Sequence, residues 1–389
     1  MRAFSCLILA GTVATTASAQ YFEARNSAMG GTGTASSSYL AAPLANPALL
    51  ARFGEDDGFG LRLPTIGASA ADEDDLVDAI SSFQDELETF QARLDAATVT
   101  PADRNALAAS LQSLAGRTAT ANFGASFAIA IPNDTLSVAL FGNTYGDARV
   151  FATIDPNDVT SIQTATVSTD VDNLQSEGRV IGAAVSDLGI SIAKSFDLGA
   201  AKLLLGASPK AQRVDSFNYS LNIDTFDEGD FHDSQYRNDE VNFNADAGAA
   251  VIFGEGITVG VMARNLVSRD YQTVLTAGQQ FSYEVKPVVT IGAAVELGAL
   301  TLTADVDVTD TERFNLSDES RFVRGGLEVD LGDWVQLRRG AQLDTEDTTP
   351  DLFTAGLGIS PFGVFRLDLA GMLGEDNTYG AVLQTSFTF

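Results

Sequence analysis

The feature that most constrains this chain is the order of its connections. Segments that alternate apolar and polar residues are separated, in strict turn, by short and long breaks. The short ones fall at Pro132-Asn133-Asp134, Asp197-Leu198-Gly199, Gly254-Glu255-Gly256, Leu297-Gly298, Gly332-Asp333 and Pro361-Phe362-Gly363. There Gly, Pro, Asn and Asp supply the backbone conformations that hairpin turns need. The long ones are acidic and cover residues 145–178, 215–240, 268–280, 310–320, 343–350 and 374–377. A water-soluble sandwich also alternates along its strands, so alternation alone decides little. A barrel threaded through a bilayer additionally has tight turns on one side and long loops on the other. Counting from a first strand near residues 59–63 to a last strand at 378–389 gives about fourteen strands, with both ends of the chain on the turn side, the periplasm.

The faces of these segments are distinct. Along residues 118–131 one face reads Ala119, Ala121, Phe123, Ala125, Phe127, Ile129, Ile131, and the other begins Thr118, Thr120, Asn122, Gly124, Ser126. Leu300, Leu302, Ala304, Val306 and Val308 oppose Thr301, Thr303, Asp305, Asp307 and Thr309. In the final strand Tyr379, Ala381, Leu383, Phe387 and Phe389 point one way, and Thr378, Gly380, Gln384, Ser386 and Thr388 the other, with Val382 and Thr385 departing. The apolar faces read as lipid-facing. Trp334, Tyr379, Phe387 and Phe389 suit interfacial girdles. Phe387 and Phe389 are also similar to the terminal signal read by the barrel-assembly machinery, which makes that machinery and outer-membrane lipid expected partners.

Export is read from the first residues. Met1-Arg2 carry a positive charge, an apolar run follows from Cys6 to about Ala14, and Ala17-Ser18-Ala19 offers a cleavage site, so residues 1–19 read as a secretory signal. Cys6, the only cysteine, leaves with it and takes thiol and disulfide chemistry away. Although 45% of residues are hydrophobic, no later stretch approaches the ~20 apolar residues of a membrane helix. The formal charge of −29 is spread over many loops and repels nucleic-acid backbones.

Residues 72–115 read as a helical hairpin. Leu76, Ile80, Phe83, Leu87, Phe90 and Leu94 recur at steps of four and three and form one stripe. Thr100-Pro101-Ala102-Asp103 is a capping box with Pro at the first helical position, leading into Leu107, Leu111 and Leu114. Strand parity puts this hairpin outside the cell; if residues 59–63 do not span, it is periplasmic.

Chemistry finds little footing. The single histidine, His232, sits in an acidic connection with no nucleophile motif around it, so neither a Ser-His pair nor a transition-metal site is supported. Asp224, Asp227, Glu228, Asp230 and Asp233 in that connection could hold calcium, but their spacing fits no EF-hand and solubility is the plainer reading. No catalytic, metal or cofactor residue is assigned. Gly30-Gly31-Thr32-Gly33 lacks the Lys-Ser/Thr of a phosphate loop and reads as backbone that must turn and pack closely. On the inner face Asp246, Asp305, Asp307, Glu328, Asp330 and Asp368 are expected to meet Arg338 and Arg366, because charges taken out of water need partners.

Two groups of motifs carry a resemblance. Ala24-Arg25-Asn26-Ser27-Ala28-Met29-Gly30-Gly31-Thr32-Gly33, followed by Ala42-Pro43-Leu44-Ala45-Asn46-Pro47-Ala48, resembles the N-terminal hatch of FadL-like outer-membrane proteins. Leu205-Gly206-Ala207-Ser208-Pro209-Lys210, Phe322-Val323-Arg324-Gly325-Gly326-Leu327-Glu328, Val335-Gln336-Leu337-Arg338-Arg339-Gly340 and Phe353-Thr354-Ala355-Gly356-Leu357-Gly358-Ile359 resemble the TraF-type barrel family named for conjugal transfer, which is similar in plan. The resemblance implies an all-β, transmembrane antiparallel barrel at residues 57–389 and a plug at residues 20–56, with Gly30, Gly31, Gly33, Asn46 and Pro47 as its motif. It implies a non-enzymatic outer-membrane role in envelope transport or a conjugal transfer or secretion apparatus. The hatch alone implies passive uptake of hydrophobic small molecules. A structural or adhesive surface role through the acidic loops and helical hairpin is the remaining expectation.

Overall fold

A computed structural model of the chain describes residues 21–54, 57–72, 75–226, 233–254, 256–316, 319–332, 334–375 and 377–389. The expected secretory signal and Asp227, Glu228, Asp230 and His232 lie outside the described residues. Among the described residues, fourteen antiparallel strands close into one barrel. The first seven are β1 (Gly60–Ala71), β2 (Thr118–Ile131), β3 (Ser137–Thr153), β4 (Glu177–Asp197), β5 (Ala201–Asn222), β6 (Arg237–Phe253) and β7 (Ile257–Arg264). A separate two-stranded hairpin, β8 (Arg269–Gln272) with β9 (Ser282–Val285), interrupts the order. The barrel resumes with β10 (Val288–Leu297), β11 (Leu300–Asp307), β12 (Phe322–Asp330), β13 (Val335–Asp344), β14 (Leu352–Ile359), β15 (Phe365–Gly374) and β16 (Thr378–Thr388). Each strand pairs with its neighbour in the sequence, β7 reaches β10, and β16 returns to β1, so no edge stays open. The seam pairs Gly60 with Thr388 and Ala71 with Thr378. Phe389 therefore lies at the end of the barrel that carries the short connections, the turn end. Phe59, Phe365, Phe387 and Phe389 cluster there, with ring centroids of Phe365 and Phe387 5.4 Å apart.

The wall has two heights. Strands β7 and β10 to β16 run 8 to 11 residues, close to the ~9–11 that cross a hydrocarbon core. Strands β3 to β6 run 17, 21, 22 and 17 residues. At ~3.3 Å per residue the longest is about 70 Å long, well over a ~30 Å bilayer core even when tilted. The sequence pattern predicts connections at residues 145–178 and 215–240, yet β3 continues to Thr153 and β5 to Asn222. The reason is that this part of the wall is covered on both faces, so alternation fades. Residues 180–185, Val-Ile-Gly-Ala-Ala-Val, are apolar throughout, as strands buried on two sides are.

Two short helices, α1 (Ala24–Ala28) and α2 (Ala42–Ala45), belong to the N-terminal segment. Three more, α3 (Leu76–Asp95), α4 (Pro101–Ser113) and α5 (Pro156–Thr164), cover the outer face of the tall wall. The stripe of α3 from Leu76 to Leu94 is buried with Leu107, Leu111 and Ile162 against Ala119, Ala152, Val180 and Tyr219 of the strands. Thr100 and Asp103 cap α4 reciprocally, side chain to backbone in both directions. On the inner face the β8–β9 hairpin supplies Tyr271, Tyr283 and Val285, with Phe281 beside them, to a core with Tyr145, Ile181, Val185, Val214 and Phe314. That hairpin begins in the connection expected at residues 268–280 and runs past it, to Val285. Nearer the turn end the wall alternates as lipid demands, with Ile190, Leu302, Leu337, Leu369 and Leu383 exposed outward.

Candidate functional site

Charged side chains from many strands converge in the lumen, and the N-terminal segment runs across it. Phe22 stands against Gly67 of β1 and Gly124 of β2, while Pro47 stands against Gly206 of β5 and Gly248 of β6. Thr34 meets Gly260 of β7 and Gly292 of β10, and Met29 and Gly30 meet Gly326 of β12 and Gly340 of β13. All four of these contacts use glycines paired directly across strands: Gly67 with Gly124, Gly206 with Gly248, Gly260 with Gly292, and Gly326 with Gly340. A Cβ at any of the eight would collide with the segment or with the Asp305 carboxylate that holds it. The wall is thus carved, strand by strand, to let a second backbone lie on it.

The segment's own motif explains its path. Gly30 and Gly31 take φ of 74° and 81°, the left-handed region that glycine enters freely. Asn46 caps the 3-10 turn Pro47–Ala51 by accepting from the Ala48 N–H at 3.1 Å, and its amide donates to the Thr34 carbonyl at 2.8 Å. Gly33 is hemmed in by the Asn26 and Ser37 side chains.

Polar contacts then fasten the segment to the short wall. The Gly33 and Thr34 N–H groups both donate to Asp305 Oδ2 at 2.9 Å. Gly30 N donates to Thr354 Oγ1, whose hydroxyl donates to the Ala28 carbonyl. Arg25 grips Glu328 at 2.7 Å, and Glu328 is shared with the fully buried Arg338. Arg338 also donates to Asp368 at 2.7 Å, and Arg366 approaches the same carboxylate at 3.4 Å.

The expected inner-face charges therefore all lie on the lumen side but do not all meet as foreseen. Glu328 and Asp368 pair with Arg338. Asp307 instead takes both arms of Arg324 at 2.8 Å. Asp246 meets Lys210 at 3.1 Å, beside Asp187 at 2.9 Å from the same ammonium. Asp305 serves backbone donors, and Asp330 sits exposed on the rim. The reason is height: Arg338 and Arg366 lie close to the turn end, near Val335 and Phe365 where their strands begin, while Asp305, Asp307 and Asp246 lie farther from it along theirs. Reading the sequence missed Arg25, Arg324, Lys210 and Arg62. The signal available was their position on polar faces, where an arginine or lysine in a membrane strand needs a partner.

The cavities left in the lumen are polar. One of about 70 Å³ lies between Tyr21, Arg264, Asp307, Arg313, Phe322 and Arg324. Another, of about 370 Å³, lies under the segment near the turn end. Among the described residues no group of three metal-ligating side chains converges.

Comparison with solved structures gives the same plan. The chain is similar to the toluene transporter TbuX of Ralstonia pickettii, with 13% identity and a TM-score of 0.55 over 95% of this chain and 98% of that one. It is similar to the P. putida toluene transporter TodX, with 13% identity and a TM-score of 0.52 over 95% and 99%. A TodX deltaS2S3 mutant, a monoaromatic hydrocarbon channel, aligns with a TM-score of 0.55 at 12% identity over 95% and 99%. At such identities the likeness speaks for the fold alone: a closed antiparallel β-barrel of the same plan. No curated protein sequence matches the chain. The family described as "F plasmid transfer operon, TraF, protein" matches residues 43–307, well over half of the 389, and the chain belongs to that family.

Proposed function

We propose that the chain is a non-catalytic, gated channel for small solutes across the outer membrane, in which residues 20–56 act as the plug. The observation that carries this reading is the glycine-lined seat: the wall gives up side chains at Gly206, Gly248, Gly260, Gly292, Gly326 and Gly340 to hold a segment that fills its own lumen. A purely structural barrel could fill that space with its own side chains, as small barrels do. The turn end faces the periplasm, the tall wall rises into the medium, and residues 1–19 direct export. The structural relatives are a toluene transporter and a monoaromatic hydrocarbon channel. The ion pairs lining this lumen favour a polar or amphipathic solute instead.

The test is conductance of the refolded barrel in planar bilayers. Gly340→Val and Gly248→Val put side chains where the segment lies and should raise single-channel conductance severalfold over the closed wild type. Gly325→Val, where a side chain meets open space, should not. Heat-modifiable gel mobility certifies folding of each variant. Folded Gly340→Val and Gly248→Val barrels that conduct no better than wild type would sink the reading.

A second reading, as the outer-membrane partner of a transfer apparatus, is favoured by the family's description and by the helical layer α3–α5 standing on the outer face of the tall wall. Removing residues 72–115 should then abolish transfer while leaving the barrel folded and its conductance unchanged.

A further inference from the structure

The lipid-facing strand positions of the short wall carry apolar or small side chains, with Tyr379 and Thr385 as polar departures and, among the described residues, one charge, Arg339. It is the fifth of the ten residues of β13, so it sits about halfway across the hydrocarbon. Its neighbours in the strand fix its direction: Leu337 and Leu343 are exposed outward, while Arg338 and Gln342 are buried on the lumen side. Across the ladder it stands between Leu327 of β12 and Ala355 of β14. Arg339 is exposed and makes no ion pair or hydrogen bond among the described residues. The surface beside it is hollow. Gly371 pairs with Ala355 and Ala381, and Gly325 pairs with Ala341 and Ala304. A Cβ at Gly325 would meet nothing within 4 Å, and one at Gly371 only the Gly380 carbonyl, at 3.9 Å. Glycines elsewhere in the wall are crowded, as Gly142 is by Phe127 and Gly146 by Phe123.

The fold itself asks for none of this. A charge at this depth is the costliest placement on a barrel's lipid face, and a strand glycine with open space gives up packing and marks where another backbone comes close. We infer that β12 to β15 present a docking surface for another integral membrane protein, one that brings an aspartate or glutamate to mid-depth against Arg339. Headgroup phosphates do not serve: in either leaflet they lie half a core away, about 15 Å, farther than an arginine stem carries its head. Acyl chains offer no anion and have no use for bare backbone. A second copy of this chain brings no carboxylate to that depth. Among the described strand residues the outward carboxylates are Asp215 and Asp239, high on the tall wall and already paired with Arg213 and Arg237. A carboxylate embedded in a partner faces the same cost alone, so pairing relieves both, and small residues let the two backbones approach. The planar fork of the guanidinium matches a carboxylate in geometry.

The inference goes beyond the channel reading and holds whether or not the lumen opens. Its test is photocrosslinking of the full chain in the outer membrane of the cells that make it, with p-benzoylphenylalanine placed at Gly325, at Gly371 or, as a control on the lipid face of the tall wall, at Ile190. Both glycine positions should give one discrete protein adduct and Ile190 none. Arg339→Leu should lower the adduct yield at least about tenfold, and Arg339→Lys should keep part of it. The crosslinked peptide should carry a carboxylate whose change to the amide lowers the yield as Arg339→Leu does. Heat-modifiable mobility certifies the fold of each variant. No protein adduct at either glycine, or one indifferent to Arg339→Leu, overturns the surface. An adduct of twice the barrel's own mass makes the occupant a second copy, and one of lipid mass makes it the bilayer; both overturn the assignment. A second measurement uses vesicles of phosphatidylcholine with no other protein. There Arg339→Leu should raise the urea midpoint of the barrel, and an unchanged midpoint means that lipid already satisfies the arginine, which also overturns it. A barrel that crosslinks as expected and never conducts leaves this surface standing and removes the channel reading.

Discussion

The tall wall and the short wall are built from the same kind of strand and obey different rules. Within β4 alone, Leu188, Ile190 and Ile192 are exposed while Asp187 and Ser191 are buried, but farther from the turn end Val180, Ile181, Ala183 and Val185 are all buried. Strand β11 of the short wall never leaves the first regime: Leu302 and Val306 are exposed and Thr301, Thr303, Asp305 and Asp307 buried. Period-two patterning therefore reports what lies on each side of a strand at a given height, not the strand itself. The walls also hold the N-terminal segment differently. The short wall grips it with charge and hydroxyl, through Glu328, Asp305 and Thr354. Both walls present bare backbone to it, at Gly206 and Gly248 on the tall wall and at Gly260, Gly292, Gly326 and Gly340 on the short one.

The contrast can be broken most forcefully at the helical cover. Phe83, fully buried between α3 and the tall wall, becomes a cavity in Phe83→Ala, and the layer should lose about 3–5 kcal/mol. Hydrogen exchange should then rise across α3 to α5 with little change in β10 to β16. Uniform loss of protection through both walls would mean that they unfold as one. A smaller effect is expected from charge placed on lipid-facing positions. Leu302→Arg on the short wall should cost up to about 2–4 kcal/mol. The same change at the exposed Val241, outward on β6 beside the half-buried Arg213, should cost under about 0.5 kcal/mol because that height stands in water. Refolding titrations into lipid vesicles measure both, and equal penalties would deny the tall wall its place above the bilayer.

The smallest effect is acid sensitivity confined to the cover. Hydrogen bonds from the Thr100 backbone and side chain hold the Asp103 carboxyl below its ordinary value, and N–H groups of Thr166 and Val167 do the same for Asp170. A depressed carboxyl stabilises fully above its unfolded value and loses that contribution as pH falls through the folded one. Helical circular dichroism should therefore decline slightly below about pH 4 while the barrel signal holds. A decline that begins near neutrality would point to other groups.

Much of the fold was legible because membrane strands expose their environment in one dimension. Leu302 against Thr303, or Leu383 against Gln384, names the lipid side without further help. The helical stripe Leu76 to Leu94 and the Thr100–Asp103 cap are equally local. What stayed hidden depends on covering partners. Residues 180–185 look like any apolar run until helices and a hairpin are laid on either side. The β8–β9 pair is too short to announce itself beside its Gly and Gln residues. The site was less legible still. Gly206 and Gly248 stand far apart in sequence and become one feature only across the ladder, and Arg339 gains meaning only once its strand is seen to turn it to lipid at mid-depth. Val382, noted as a departure from the pattern, turns out to face inward in a core with Phe22.

The seam between β1 and β16 has a kinetic meaning. Gly60 finds Thr388, and the Phe389 N–H finds the Phe59 carbonyl, only when nearly the whole described chain is available. Until that moment the sheet is an open ribbon with two unpaired edges, each a template for pairing with another copy. Its last contact is also among its most distant in sequence, so closure is slow by topology and cannot be hastened by strengthening any single hairpin. A chain of this design spends its most aggregation-prone interval in transit, and its yield in the membrane is decided by how well its edges are shielded before the ring is shut.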